Sequence, residues 1–522
     1  MKIKILIIFW LVRTLTFGQT VFQNAYGGIW TEAIYSLEQT SDGGYVMVGS
    51  SSSFGPIDEI YLVKTNTVGA VQWSKTFGTG IGENGTDLKQ TSDGGYIIAG
   101  TTNSYSTDIF LVKTDLNGNL QWSNSYGGTS SAEMGNSVDQ TSDGGFIVAG
   151  HTDGYGAGQW DIYLIKTSNN GNLLWTRTFG GPEMEDAFDV KATSDGGIII
   201  CGYNNSFQTY DGNVYLIKTD ANGTKLWSKS YNALGGDAGY SIQQTSDGGY
   251  IVSGQTWNYT SGFSDALLLK VDGLGNMQWA KACGGASYDY GYSITQTSDG
   301  GFMMTGETTS FGALGADLFS VKTNSIGNLQ WSKMYGGAAN EDNWSSGVQT
   351  TDGGYALGIL GGSFGSGNGD FYFLKTDNSG NSGCNQNSIG AVLNTWTCAV
   401  ISPADTISSG GIKSAITTTV NNPATMTSTL CVATGLFEQT NNFVYNLFPN
   451  PMTNSAILKF ENLSNESHSL RLYNTNGQLS LSISDITSDK IEIERNNLSN
   501  GLYFFRLLRD EKVITTGILI IE

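Results

Sequence analysis

Two sets of acidic side chains recur at fixed intervals along the chain. Glu32, Glu83, Glu133, Glu185, Asp237, Asp289 and Asp342 each stand ten residues ahead of the Asp in a repeated Asp-Gly-Gly phrase. Glu59, Asp108, Asp161, Asn213, Asp265, Asp317 and Asp370 each stand five residues ahead of a recurring lysine, and only Asn213 departs from the acidic type. Paired carboxylates can move protons in general acid–base catalysis or hold Ca²⁺. Adjacent acids also occur at Glu185–Asp186 and Glu341–Asp342, without the spacing of an EF-hand loop. Sevenfold recurrence argues for architecture. A buried charge must be paired or hydrogen-bonded wherever it occurs, whereas one small ligand cannot contact seven equivalent places. The expectation is therefore no catalytic residue and no resident cofactor, with Ca²⁺ at the acidic loops kept open. His151 and His468 are the only histidines, which removes most routes to a histidine-based triad or a histidine-ligated metal.

Other residues break the repeat, and these are better candidates for binding. Trp30, Trp160, Tyr210, Trp257, Tyr259 and Trp344 fall in longer, variable stretches such as "GHTDGYGAGQWD" and "GQTWNYTSGFSD". Aromatic rings on variable loops stack on sugars or bury a partner's apolar group. The competing reading is that each packs beneath its own glycine-rich loop.

The elements that position these residues follow from the repeat. The phrase Asp falls at Asp42, Asp93, Asp143, Asp195, Asp247, Asp299 and Asp352, in steps of 51, 50, 52, 52, 52 and 53 residues. Such a period marks a solenoid or a propeller. Each unit holds four strand-like runs, as in "GTDLKQT", "GYIIAGTT", "DIFLVKTD" and "NLQWSNSYG". Asp-Gly and Asn-Gly pairs between them favour tight hairpin turns. The reading is an all-β fold: a seven-bladed β-propeller of four-stranded blades over residues 19–383. Six units carry a Trp in the last run (Trp73, Trp122, Trp175, Trp227, Trp279 and Trp331), but the seventh has Cys384 there. "VFQNAYGG" near the N-terminus aligns with that run and puts Phe22 at the Trp position, so the N-terminal strand should complete the seventh blade and close the ring. The phrase "KTDLNGNLQW" resembles the tryptophan-docking motif of quinoprotein-type propellers, and the double glycine resembles kelch repeats. That resemblance implies a fold and not a quinone site.

Composition narrows the remaining classes. The chain has 522 residues, with 71 Gly, 6 Pro and a formal net charge of −20. Such an acidic protein repels phosphate backbones, so nucleic acid is not an expected partner. Residues 1–18, with Lys2, Lys4 and the apolar "ILIIFWLV", read as a signal peptide. Nothing downstream reads as a transmembrane helix. Cys201 and Cys283 read as buried apolar residues, and an oxidising compartment permits one disulfide among Cys384, Cys398 and Cys431. Residues 384–441, rich in Ser, Thr, Asn and Gly, read as a linker or small β module.

Residues 442–522 form a further domain. "FPNP" (Phe448, Pro449, Asn450 and Pro451), "LYNTNGQ" with Gly477, and "LSNGLYFFRL" with Gly501 and Tyr503 resemble the type A C-terminal sorting domain of the Bacteroidota type IX secretion system. The resemblance implies a small β-sandwich read by the secretion machinery, and export through the periplasm to the cell surface or medium. The expected function is a non-enzymatic surface scaffold binding a glycan or protein. The alternative is a secreted polysaccharide-degrading enzyme with its site in the propeller channel.

Overall fold

The computed structural model describes residues 19–432 and 445–521, less short stretches at 103–106, 129, 208–211, 233–234, 258–262, 313–314, 342–343, 366–367, 396–397, 404–405, 416–418, 422, 424–425, 461, 463–465, 475–477, 497 and 510–511. The signal-peptide expectation for residues 1–18 lies outside them. Among the described residues there is no helix; every regular element is a β-strand. The chain divides after Ala433 into two compact units.

The first unit holds seven antiparallel sheets, each built from one repeat. The first begins with Glu32–Gln39, Tyr45–Ser51, Glu59–Thr65 and Val71–Gly78, and the others follow the same order. The Asp-Gly-Gly phrase turns the chain between the first two strands. In the first sheet Thr40 N donates to Gly44 O (2.9 Å) and Gly43 adopts φ 81°, a value at which a Cβ would be strained. The phrase Asp braces this turn. Asp42 Oδ1 accepts from Gly44 N at 3.0 Å, and its carboxylate pairs with the buried Lys64 at 2.9 Å. All seven sheets repeat the ion pair, at 2.9–3.1 Å. The phrase is thus turn and lysine chemistry.

Each sheet packs on the next, and the seventh packs on the first. Two repeated contacts carry this. Gln90 Oε1 accepts from Ser41 N of the preceding sheet at 2.8 Å, and Gln39 Oε1 accepts from Thr351 N at 2.8 Å across the seam. The Trp of one sheet lies against the turn glycine of the next, with Trp73 on Gly118, Trp122 on Gly171 and so on to Trp331 on Gly380. A Cβ on any of these glycines would overlap the indole. Phe22 makes the same contact with Gly69 of the first sheet. Its strand, Phe22–Gly27, pairs with Asp370–Thr376 in the seventh sheet and sets Phe22 opposite Lys375, as Trp73 is set opposite Lys64.

The four strands of each repeat are joined by a fifth, and residues 386–432, expected as a linker or small β module, supply it as short strands. Each of the seven sheets of this unit has five strands. The fifth comes from residues 386–432, which run backward around the unit as a belt. Gln386–Ser388 joins the sixth sheet, Val392–Thr395 the fifth, Ala399–Ile401 the fourth, Thr406–Ser408 the third, Ile412–Ala415 the second and Thr419–Asn421 the first. Met426–Val432 then pairs with Phe22–Gly27 in the seventh. The reason is physical: the outer strand of an open sheet leaves a row of unpaired donors and acceptors, and the belt satisfies part of that row in each sheet. The outer strands also place hydroxyls to receive it. Thr176 Oγ1 donates to Gly410 O at 2.6 Å, Ser332 Oγ to Ile389 O at 2.7 Å and Ser74 Oγ to Pro423 O at 2.8 Å.

The second unit pairs a three-stranded sheet (Tyr445–Phe448, Ser455–Phe460, Lys490–Glu494) with a four-stranded one (Leu479–Ile486, His468–Asn474, Gly501–Arg509, Lys512–Ile521). Alternating residues of both sheets, among them Leu458, Phe460, Leu470, Leu472, Phe505 and Leu519, bury one core between them.

Candidate functional site

The acid sets meet in pairs. At the end of the third sheet's fourth strand, a Cβ on Gly180 would touch Asp161 Oδ1 and Glu185 Oε2 together, and Gly336 stands in the same relation to Asp317 and Glu341. Backbone donors also reach these carboxylates: Ala157 N and Gly158 N donate to Asp161 Oδ2 at 3.0 and 3.1 Å, and Gly181 N donates to Glu185 Oε2, the oxygen on the Asp161 side, at 2.7 Å. In the seventh sheet the place expected of Asp342 belongs to Glu341. Its amide donates to Ala316 O at 2.7 Å, and its Oε2 accepts from Gly337 N at 3.0 Å. The longer seventh unit shifts the register by one, and Asp342 itself lies outside the described residues.

The inward oxygens Asp161 Oδ1 and Asp317 Oδ1 are buried and receive no donor. Two carboxylates that face each other out of water cannot both ionise cheaply. Burial, reinforced by Glu341, pushes the Asp317 carboxyl up to about 7. Burial also raises Asp161, Glu185 and Asp108. A proton satisfies two facing oxygens, and among the described residues no three Asp, Glu, His or Cys side chains converge as a metal site would require.

This arrangement has a signed consequence. A carboxyl whose folded pKa exceeds its unfolded value holds its proton more tightly in the native state. Its stabilisation is complete below about pH 4 and is lost as pH rises through about 7. The turn aspartates act oppositely. Burial alone would raise Asp143, but Lys166, Thr141 and Gly145 outweigh it and hold the carboxyl down to about 2. Their contribution is present above the unfolded value and is lost as pH falls through 2. The melting temperature is therefore expected to fall between pH 5 and pH 8. Asp317→Asn should raise it at pH 8 and give no gain at pH 5. A melt of this variant that tracks the native chain at both values would exclude the shared proton. Asn213 already sets an amide at this place in the fourth sheet.

The asymmetry lies where the first strands stand side by side. Three residues after the acid, the repeat places Tyr35, Thr86, Asn136, Phe188, Tyr240, Tyr292 and Trp344. In the first six sheets a β-bulge skips this residue, as at Gly135/Ser137 and Ala187/Asp189, which re-aims its side chain out of the ladder. From the fourth sheet to the seventh the position is aromatic and the rings touch. Phe188 and Tyr240 lie 5.2 Å apart, Tyr240 and Trp344 5.0 Å, and Tyr292 and Trp344 4.8 Å. The row extends through Tyr290, 5.7 Å from Tyr292, and Tyr288 to Phe263, which stacks on Tyr288 at 5.0 Å and is 56% exposed.

At the next level of the same strands the first to fifth sheets are polar. Asp87 accepts from Ser36 at 2.8 Å and Asp189 from Ser241 at 3.1 Å, while Ser137 Oγ lies 2.8 Å from both carboxylates and its one proton serves either. Lys191 lies 2.5 Å from Asp189, and Lys89 pairs with Glu38. Burial would lower the Lys191 ammonium, but Asp189, Asp87 and Asp139 outweigh it and raise it above its ordinary value.

Of the aromatics singled out from sequence, Trp344 lies in the centre of this row and Trp257 meets Tyr288 edge-on at 6.1 Å. Trp160 lies elsewhere, stacked on His151 at 4.5 Å, and Trp30 is 54% exposed, its amide donating to Ser53 Oγ at 2.9 Å. Tyr210 and Tyr259 lie outside the described residues. Sequence reasoning missed Phe188, Tyr240, Tyr288, Tyr290 and Tyr292. The signal was a variable column inside a uniform strand, visible once the units are aligned on their acids.

In the second unit Phe448–Pro449 and Asn450–Pro451 are cis. Phe448 is exposed, and Asn450 Oδ1 accepts from Ile520 N at 2.8 Å. Gly501 adopts φ 151°, and the buried Tyr503 donates to Ser499 O at 3.0 Å. Gly477 lies outside the described residues. Residues 446–522 match the family model described as a secretion system C-terminal sorting domain. No curated protein matches the chain. A protein of unknown function from Dyadobacter fermentans is 10% identical, with 69% of this chain and 100% of that one covered at a TM-score of 0.37. Sqt1 from Chaetomium thermophilum is 11% identical, with 66% and 86% covered at 0.39. The extracellular domain of the putative hybrid two-component system BT3049 from B. thetaiotaomicron is 11% identical, with 96% and 100% covered at 0.14. Similarity at this level carries no functional argument. Among the described residues no helix is long and apolar enough to cross a membrane. The sorting domain sets the destination: the chain engages the type IX secretion machinery and is exported to the cell surface or beyond it.

Proposed function

We propose that the seven sheets are the blades of a closed β-propeller, and that this propeller is a non-enzymatic surface scaffold whose ligand is a glycan. The observation that carries this reading is the aromatic row from exposed Phe263 through Tyr288, Tyr290 and Tyr292 to Trp344. Successive rings 4.8–6.3 Å apart offer π-faces and edges to sugar rings. The row also breaks the sevenfold repeat, as a site for a single ligand must. A glycan array on the exported protein should find a ligand. Trp344→Ala should then weaken it about tenfold while Trp30→Ala leaves it unchanged. Equal affinities for native and Trp344→Ala protein would remove the row from the site.

One observation favours a polysaccharide-degrading enzyme instead. His151 Nδ1 lies 3.0 Å from Asp186 Oδ1, off the line of a hydrogen bond, beneath Trp160. If that pair is catalytic, new reducing ends should accumulate from the bound polysaccharide and vanish in His151→Ala. Binding without product selects the scaffold.

A further inference from the structure

The belt begins just after Cys384, and its last strand, Met426–Val432, contains Cys431. Between them the chain visits the other six sheets, yet Cys384 contacts Gln23 of the seventh sheet and Cys431 belongs to that sheet's outer strand. In the ladder between Phe22–Gly27 and Met426–Val432, Gln23 stands opposite Cys431. Directly opposed positions of an antiparallel pair share one face of the sheet, about 4.5–5.5 Å apart. The side chain of Gln23 also reaches Cys384. Gln23 Nε2 donates to the Cys384 carbonyl, and Cys384 Sγ lies 3.7 Å from Gln23 Oε1. Gln23 is fully buried and is fixed further by the Tyr372 hydroxyl at 2.9 Å and Asn385 Nδ2 at 3.0 Å. One rigid residue thus adjoins both cysteine positions.

The third cysteine of this region is placed elsewhere. Cys398 Sγ lies 3.7 Å from Met277 Sδ, against an apolar cluster of the fourth and fifth sheets. Sequence alone left three pairings open among Cys384, Cys398 and Cys431; the path of the belt selects one.

We propose that Cys384 and Cys431 are joined by a disulfide in the exported protein, which turns the belt into a covalent loop. The S–S bond forms as two thiols give up two protons and two electrons. A periplasmic thiol-oxidising carrier protein accepts them by exchange, its own disulfide becoming a dithiol. The belt strands are three to seven residues long. Segments this short would peel in turn from a loose end, and the bond removes the loose end at the sheet where the ring closes.

The test is peptide mapping of the exported protein, alkylated with iodoacetamide in denaturant without reductant. The expected result is one linked peptide pair containing Cys384 and Cys431, with Cys201, Cys283 and Cys398 carrying the label. Label on both Cys384 and Cys431, or either joined to another cysteine, overturns the proposal. In thermal melts, dithiothreitol should lower the native midpoint by about 5 °C and leave the C384S/C431S double variant unmoved. A native melt indifferent to dithiothreitol would equally overturn it.

Discussion

Deletion of residues 19–28 is expected to lower the melting temperature of the first unit by at least about 10 °C. This strand lies between Asp370–Thr376 and Met426–Val432, so its loss breaks two ladders at once. It also removes the seam between the seventh and first sheets. Phe22 lies on Gly69, and Tyr26 donates its hydroxyl to the Gly69 carbonyl, as Tyr126 does to Gly171. Both rings are buried, and truncating such a ring costs about 3–5 kcal/mol. A finer test uses the mismatch with the other six seams. Phe22 meets Phe373 edge-on at 5.3 Å. Position 373 is Leu in the first five sheets (Leu62, Leu111, Leu164, Leu216, Leu268) and Ser320 in the sixth. A smaller ring at 22 thus accompanies a larger one at 373, which conserves packed volume. Phe22→Trp alone should overpack and lower the melt, whereas Phe22→Trp with Phe373→Leu should recover most of it. An additive double variant would break the argument, because coupling is expected only between side chains in contact.

The second large effect is expected from the belt. Deleting residues 386–432 uncovers the outer strands of all seven sheets, including Leu329–Tyr335 and Leu173–Gly180. Flat open edges template association with further chains, so the deleted protein should self-associate in light scattering while the native chain does not. The hydroxyls that faced the belt (Ser74, Thr176, Ser228 and Ser332, all buried) would lose carbonyl partners or meet water. A deleted protein that stays dispersed and melts as the native one does would show the belt to be dispensable. Thr176→Val probes the same contact mildly: it removes the bond to Gly410 O and should cost about 1 kcal/mol.

Several features were legible in particular residues. The Asp-Gly-Gly turns followed from the positive φ that Gly43 and its counterparts must adopt. Phe22 could be placed by aligning one short strand with six others, and its register opposite Lys375 agrees with that alignment. The second unit's two sheets were what the resemblance to the sorting domain implied. Strands in the belt were one of two readings, and their addition to seven separate sheets was not legible. The segments are short, rich in Ser and Thr, and too weakly patterned to show a period of two, because each is held by an existing edge rather than by its own apolar face. One clue was present: a hydroxyl follows the Trp in five of the six units (Ser74, Ser123, Thr176, Ser228, Ser332), and a buried hydroxyl needs a partner.

The sequence by itself determined the all-β class, the number of units, the turns, the strand that completes the seventh sheet and the export signal at the C-terminus. The export signal was legible by resemblance to a known family; the others rest on local rules, since strand alternation, turn chemistry and a repeated phrase act within one unit or between neighbours. Only the tertiary structure decided which residues share a place. It carried residues 386–432 backward across seven sheets, faced Asp317 with Glu341, brought Phe188, Tyr240, Tyr292 and Trp344 into one row, and set Cys431 opposite Gln23. Each of these joins residues whose separation exceeds any local rule, and the packing of one sheet upon another selects them.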